Sequence, residues 1–113
     1  MELEVVTSQV EGRSVVAVSG ELDAHVAPDL QATLDPLLAV SQPAIIVDLS
    51  GVPFIDSTGL GVLVTTLKRV REAGGTLDVV ASAPRVLKVF ALTGLDVVIP
   101  LHATLDEALL PRD

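Results

Sequence analysis

The run AIIVDL at residues 44–49 shows almost no alternation of apolar with polar side chains. A strand with one face in water alternates, so an unbroken run of this length suits a central strand covered on both faces. LDVVA at 77–81 and DVVIP at 96–100 predict two shorter strands of the same sort. Near the beginning, ELEVVTSQV at 2–10 and SVVAVSG at 14–20 are Val-rich and separated by EGR, which predicts an antiparallel pair joined by a short turn at Gly12.

Helical spacing fills the intervals. In VAPDLQATLDPLLA, Leu30, Leu34, Leu37 and Leu38 form one apolar stripe, with Pro28 in the first turn. Pro36 comes late in that pattern and is expected to kink or end the helix there. From about residue 58 to Ala73, Leu60, Leu63, Val64, Leu67 and Val70 repeat the spacing, Lys68, Arg69 and Arg71 suit the negative end of the dipole, and Gly74 and Gly75 stop the helix. Residues 84–92 predict a third helix with Val86, Leu87 and Phe90 inward and Gly94 as its stop, and Thr104 with Glu107 forms a capping box for a short terminal helix through Leu105, Ala108 and Leu109.

Strands alternating with helices imply right-handed crossovers. The expected fold is α/β, with a mixed, mostly parallel sheet of about five strands, about four helices, and the first strand antiparallel at the edge. At 113 residues the chain suits a single domain, 1–113, with 111–113 as a short tail. Half of the residues are apolar and only Phe54 and Phe90 are aromatic, so the core is expected to be aliphatic. Seven basic against 15 acidic residues give a net charge of -8, which opposes binding to a phosphate backbone and makes direct nucleic-acid binding unexpected. With no cysteine, disulfides and thiolate chemistry are excluded, and with no long apolar run a membrane span is not expected. The default location is cytoplasmic and the default state a monomer.

In open sheets of this kind, sites favour the rim outside the carboxyl ends of the parallel strands. GELDAH follows strand 14–20 and IDSTG follows strand 44–49, so topology places Glu21, Asp23 and His25 beside Asp56, Ser57 and Thr58. Asp56 or Ser57 is a ready helix cap. Gly59 and Gly61 each cost roughly 0.5–1 kcal/mol against alanine inside a helix, which is tolerable where the first turn approaches another backbone or leaves a bare surface around the hydroxyls. A hydroxyl at a helix start is equally suited to carry a phosphate, which adds about -1.5 to -2 charge and meets the carboxylates around it. The residues alone leave cap and switch both open. Asp23 serves equally as a turn residue and His25 as a loop histidine, whereas Phe54 is expected as a core anchor and Lys68, Arg69 and Arg71 as a solvated flank.

Catalytic readings fit less well. His25 and His102 are the only histidines and belong to no arrangement that would activate a serine nucleophile. GLG at 59–61 lacks the remaining glycines of a dinucleotide loop and the lysine of a triphosphate loop. Asp48 ends a parallel strand, but no acidic pair accompanies it as an aspartyl-phosphate receiver would need.

VDLSGVPFIDSTGLGVLV, preceded by VSGELDAHVAPDL and followed by GGTLDVV and LTGL, resembles the anti-anti-sigma factors, or anti-sigma factor antagonists, of the STAS domain family, and the actinobacterial regulatory members in particular. The similarity runs through residues 2–110 in one order. It implies a STAS-like fold and a noncatalytic partner-switching regulator with no cofactor and no metal. Such a protein binds an anti-sigma factor that is also a serine protein kinase, frees the sigma factor, and is released on phosphorylation until a serine phosphatase of the metal-dependent kind resets it. The family's phosphorylated serine matches Ser57 and its aspartate Asp56, while Thr58 is a weaker acceptor. The implied partner surface comprises Glu21, Asp23, His25, Asp56, Ser57, Thr58, Gly59, Leu60 and Gly61. Pro36 departs from the family's first helix. The alternative implied by the same family is a STAS module for small-ligand sensing or for scaffolding a signalling complex.

Overall fold

The computed structural model describes residues 4–110. Strands β1 (Glu4–Val10) and β2 (Arg13–Ser19) pair antiparallel, and β3 (Ala44–Gly51), β4 (Thr76–Val80) and β5 (Leu101–His102) follow in parallel, in the spatial order β1-β2-β3-β4-β5. The β1–β2 turn is made by Glu11 and Gly12, both at positive φ, the backbone a two-residue hairpin turn requires. Residues 2–3 of the expected first strand and the expected tail at 111–113 lie outside the described residues.

Helices α1 (Ala27–Leu38), α2 (Ser57–Glu72) and α3 (Pro84–Thr93), with the single turn α4 (Leu95–Val98), occupy the crossovers, and α5 (Leu105–Ala108) follows β5. Each crossover steps the same way across the sheet, so right-handed connections place α1, α2 and α3 on one face. The core records this. Val16, Val18, Ile45, Val47, Leu49, Leu77 and Val79 pack with Leu30, Leu34, Leu63, Val70, Val86 and Phe90 on the helical face. The alternate strand positions Val15, Ile46 and Val80 pack on the other face against Ala108 of α5. The unbroken AIIVDL run is thus explained, although Ile46 owes its second cover to one helical turn rather than to a helix layer.

Several local expectations need correction. Pro36 does not end α1; the helix runs two residues further, and the Ala39 N–H closes it on the Pro36 carbonyl. This late in a helix, a missing N–H disturbs only the last turn. In α2 the inward face includes Val62 and Thr66, whereas Val64 is 45% exposed. The Thr66 hydroxyl is satisfied inside the core by donating to the Val62 carbonyl at 2.7 Å. Leu87 lies outward on α3, beside buried Val86 and Phe90.

Residues 96–100 do not form the expected strand. Gly94, at φ 77°, closes α3 in the left-handed conformation, and the chain turns once more as α4 before β5 begins at Leu101. Among the described residues there are thus five helices, the short turn α4 joining the about four expected. β-branched Val97 and Val98 suit a strand, but the partner positions on β4 are Val79 and Val80, which pair with Leu101 and His102. Tertiary register overrides local preference, leaving Val97 85% exposed.

Candidate functional site

Beyond their paired ends, β2 and β3 stay together. The Gly20 N–H donates to the Gly51 carbonyl, the Leu22 N–H to the Phe54 carbonyl, and the Asp56 N–H to the Leu22 carbonyl, at 3.0, 3.1 and 3.1 Å. Leu22 and Ile55 form an isolated parallel bridge, and both side chains are buried in the main core. Burying side chains of that size stabilises by roughly 1.5–3 kcal/mol each, so the two polar loops are anchored from below.

Asp56 joins them from above. It is the N-cap of α2 in extended backbone geometry, and its Oδ1 accepts from the Gly59 N–H at 3.0 Å. Its Oδ2 accepts from the Ala24 N–H of the neighbouring loop, also at 3.0 Å. One carboxylate therefore caps the helix and fastens Ala24 beside it. Asp23 organises its own loop, with Oδ1 accepting from the His25 and Val26 N–H groups at 3.0 and 3.3 Å. Its carbonyl accepts from Ala27 at 2.8 Å, leading the chain into α1.

With the cap assigned to Asp56, Ser57 becomes the first residue of α2, and its hydroxyl makes no hydrogen bond among the described residues. Ser57 and Thr58 are both exposed, and at the start of a helix their N–H groups have no intrahelical acceptor. The two glycines differ in purpose. A Cβ on Gly59 would fall 2.8 Å from both the Leu22 carbonyl oxygen and its Cγ, and 3.1 Å from Ile55 Cγ1. Gly59 is therefore required by the close approach of α2 to the GELD loop. A Cβ on Gly61 would meet nothing within 4 Å, so Gly61 only leaves open surface one turn beyond the hydroxyls.

The model of the STAS domain family matches residues 4–108. This chain belongs to that family. Among STAS proteins it is 37% identical over 103 residues to the anti-sigma-B factor antagonist of Bacillus subtilis, an alignment covering 91% of this chain and 94% of the relative. The solved anti-sigma factor antagonist of Mycobacterium paratuberculosis superimposes with a TM-score of 0.88 at 40% identity, covering 96% of this chain and 92% of that one. SpoIIAA, solved unphosphorylated and phosphorylated, shares the fold, with TM-scores of 0.71 and 0.72 at 21% and 24% identity; the matches cover 93% and 94% of this chain and 93% and 96% of the SpoIIAA chains.

Of the residues that the resemblance implies for a partner surface, this STAS domain presents Glu21, His25, Ser57, Thr58 and Gly61 outward and holds Asp23 and Asp56 half-buried between them. Gly59 and Leu60 turn inward, Leu60 being 9% exposed and packed in the core, so they lie beneath this rim rather than on it. Asp48 lies on the other face of the sheet, with Oδ1 accepting from the Ser50 N–H and hydroxyl at 3.0 and 2.7 Å. Phe54 is not the expected core anchor. It is half-buried, and the Arg85 guanidinium carbon lies 4.8 Å from its ring centroid. Sequence reasoning missed Arg85 because no local pattern links it to Phe54. Among the described residues, no helix is long and apolar enough to cross a membrane.

Proposed function

We propose that this STAS domain is a partner-switching antagonist whose Ser57 is the phosphoacceptor. Unphosphorylated, it binds an anti-sigma factor that is a serine protein kinase and thereby frees a sigma factor; phosphorylated, it is released. The observation that carries this reading is the division of labour between neighbours. Asp56 caps α2 and ties the loops, which leaves Ser57 exposed with an unengaged hydroxyl. Modifying Ser57 then breaks no hydrogen bond among the described residues.

The domain supplies only the nucleophile. Ser57 Oγ attacks the γ-phosphorus of kinase-bound ATP, ADP departs, and the hydroxyl proton passes to a base on the kinase. The ester would rest beside unengaged amides at the positive end of α2, which tolerates added negative charge. Its effect falls on the partner, because about two further negative charges appear beside Asp56 on a rim already carrying Asp23 and Glu21. A metal-dependent serine phosphatase would reverse the modification.

Relatives named anti-sigma factor antagonists support the regulatory class, and the chain aligns with the Bacillus subtilis relative over nearly its whole length. The test is incubation with the cognate anti-sigma kinase and Mg-ATP, followed by mass spectrometry to place the phosphate. Modification of Ser57 is expected, and its absence with the true partner overturns the assignment. Ser57→Ala should bind the kinase without being released, while Ser57→Glu should bind about tenfold more weakly or worse. Equal affinity of all forms, phosphorylated chain included, would refute the electrostatic switch.

A further inference from the structure

The order β2-β3-β4 across the sheet fixes the order of the loops along its carboxyl rim. The GELD loop comes first, the Asp56–Ser57 turn next, and the β4–α3 connection with the start of α3 last. Exposed Glu21 and half-buried Asp23 stand at one end of this rim, and exposed Arg85 and Lys88 stand at the other. The rim therefore carries a charge gradient, acidic before Ser57 and basic after it.

Arg85 is placed where nothing among the described residues accounts for its charge. It is the second residue of α3, in the first turn, where the positive end of the helix dipole disfavours a cation. The chain has 15 acidic residues, yet Arg85 forms no ion pair and no hydrogen bond among the described residues. Its guanidinium instead lies over the ring of Phe54, three residues before Ser57. A cation held over the ring is attracted to its face, and its N–H groups make no hydrogen bond among the described residues, so they are available to an anion. A lid for a half-buried ring needs no charge, so covering Phe54 does not by itself explain an arginine.

We propose that Arg85, seated on Phe54, is a specificity-determining residue of the partner interface and receives a carboxylate of the anti-sigma kinase. The inference rests on the partner-switching reading above and extends its surface from the GELD loop and Ser57 to the start of α3. The fitting partner carries cations opposite Glu21 and Asp23 and an acidic side chain opposite Arg85. Such a polarity also fixes the direction in which the kinase lies across Ser57, since reversed docking opposes like charges at both ends.

The test measures binding of the unphosphorylated full chain to its cognate kinase for wild type, Arg85→Met, Arg85→Glu and Phe54→Leu. Arg85→Met keeps an apolar cover on Phe54 and removes the charge; it should weaken binding about tenfold. Arg85→Glu should weaken it further, and reversing the kinase's facing carboxylate to lysine should restore it. Phe54→Leu should weaken binding less and should reduce the effect of Arg85→Met, as expected when a platform and the group it seats act together. Thermal melting of the Arg85 variants should match wild type, since the side chain is exposed. Absence of binding by wild type overturns both readings. Wild-type binding that Arg85→Glu leaves within about twofold overturns this one alone. An effect confined to the Ser57-phosphorylated chain also overturns it, because Arg85 would then serve the phosphate rather than the partner.

Discussion

Asp56 concentrates three tasks in one carboxylate: it caps α2, holds Ala24, and leaves its neighbour Ser57 unencumbered. Asp56→Ala is expected to lose about 1 kcal/mol from the cap alone and more from release of the GELD loop. Asp56→Asn keeps one acceptor oxygen and should fall between, which urea denaturation of the three proteins will show. The glycines offer a sharper contrast. Gly59→Ala forces a Cβ onto the Leu22 carbonyl and should destabilise by about 1–3 kcal/mol. Gly61→Ala enters open space within a helix and should stabilise by roughly 0.5–1 kcal/mol. If both substitutions stabilise equally, the close approach of α2 to Leu22 is wrong. The sequence made the concentration of polar residues legible, and the topology of alternating strands and helices made their adjacency legible. It left the cap shared between Asp56 and Ser57, because either side chain can reach a free amide one turn on. The Gly59 N–H settles on Asp56, whose carboxylate is also held by the Ala24 N–H 32 residues away, a bond with no local signature.

At the scale of elements, the periodic stripes were readable along α1 and in part along α2 and α3, where Val64 and Leu87 instead face outward. Leu30, Leu34 and Leu38 lie buried along α1 as their spacing requires. The reading failed at 95–102, where a helical turn and a strand share a short apolar stretch and only the register with Val79 and Val80 separates them. Gly94 is the pivot. At φ 77° it ends α3 and starts α4, and a Cβ there would meet no atom within 4 Å. Gly94→Ala should therefore cost about 1–2 kcal/mol through backbone conformation alone, visible as a lowered melting temperature with no cavity or clash to confound it. On α1, the hydrogen bond from Gln31 one turn back, and then that from Arg69 of α2, hold the Asp35 carboxyl below the usual carboxylate range. A carboxyl whose folded pKa is depressed contributes stability above its unfolded pKa and loses it as pH falls through the folded one. Both side chains are well exposed, so the contribution is small and screened by salt. Asp35→Asn should slightly flatten the decline of melting temperature below about pH 4 in low salt, and an unchanged slope would remove the ion pair from the account.

Across the whole molecule, the two faces of the sheet are unequally protected. The helical face lies beneath three helices, whereas Val15, Ile46 and Val80 on the opposite face depend on the single turn α5 and on flanking Val10, Leu105 and Leu109. That turn is held by a few contacts at its ends. Thr104 accepts from the Glu107 N–H at 3.2 Å, Glu107 reaches back to the Ala103 N–H at 3.4 Å, and the Arg13 guanidinium donates to the Ala108 carbonyl. Isolated turns this short have no stability of their own, so packing must hold α5 in place. Removing residues 104–113 uncovers three buried aliphatic side chains and deprives Arg13 of its acceptor. The expected loss is roughly 2–5 kcal/mol, since each side chain partly regains exposure worth about 1.5–3 kcal/mol at most. Ala108→Asp should act in the same direction by setting a carboxylate against Val15, Ile46 and Val80. Both changes lie on the face opposite α1, α2 and α3, so the hydrogen bonds joining Ala24, Asp56 and Gly59 should survive while the folded state lasts. Denaturation monitored by circular dichroism gives the loss, and amide exchange at Ala24 and Gly59 reports the rim. Unchanged stability would show that α5 leaves the second face uncovered; early loss of rim protection, ahead of global unfolding, would show that the rim depends on that face.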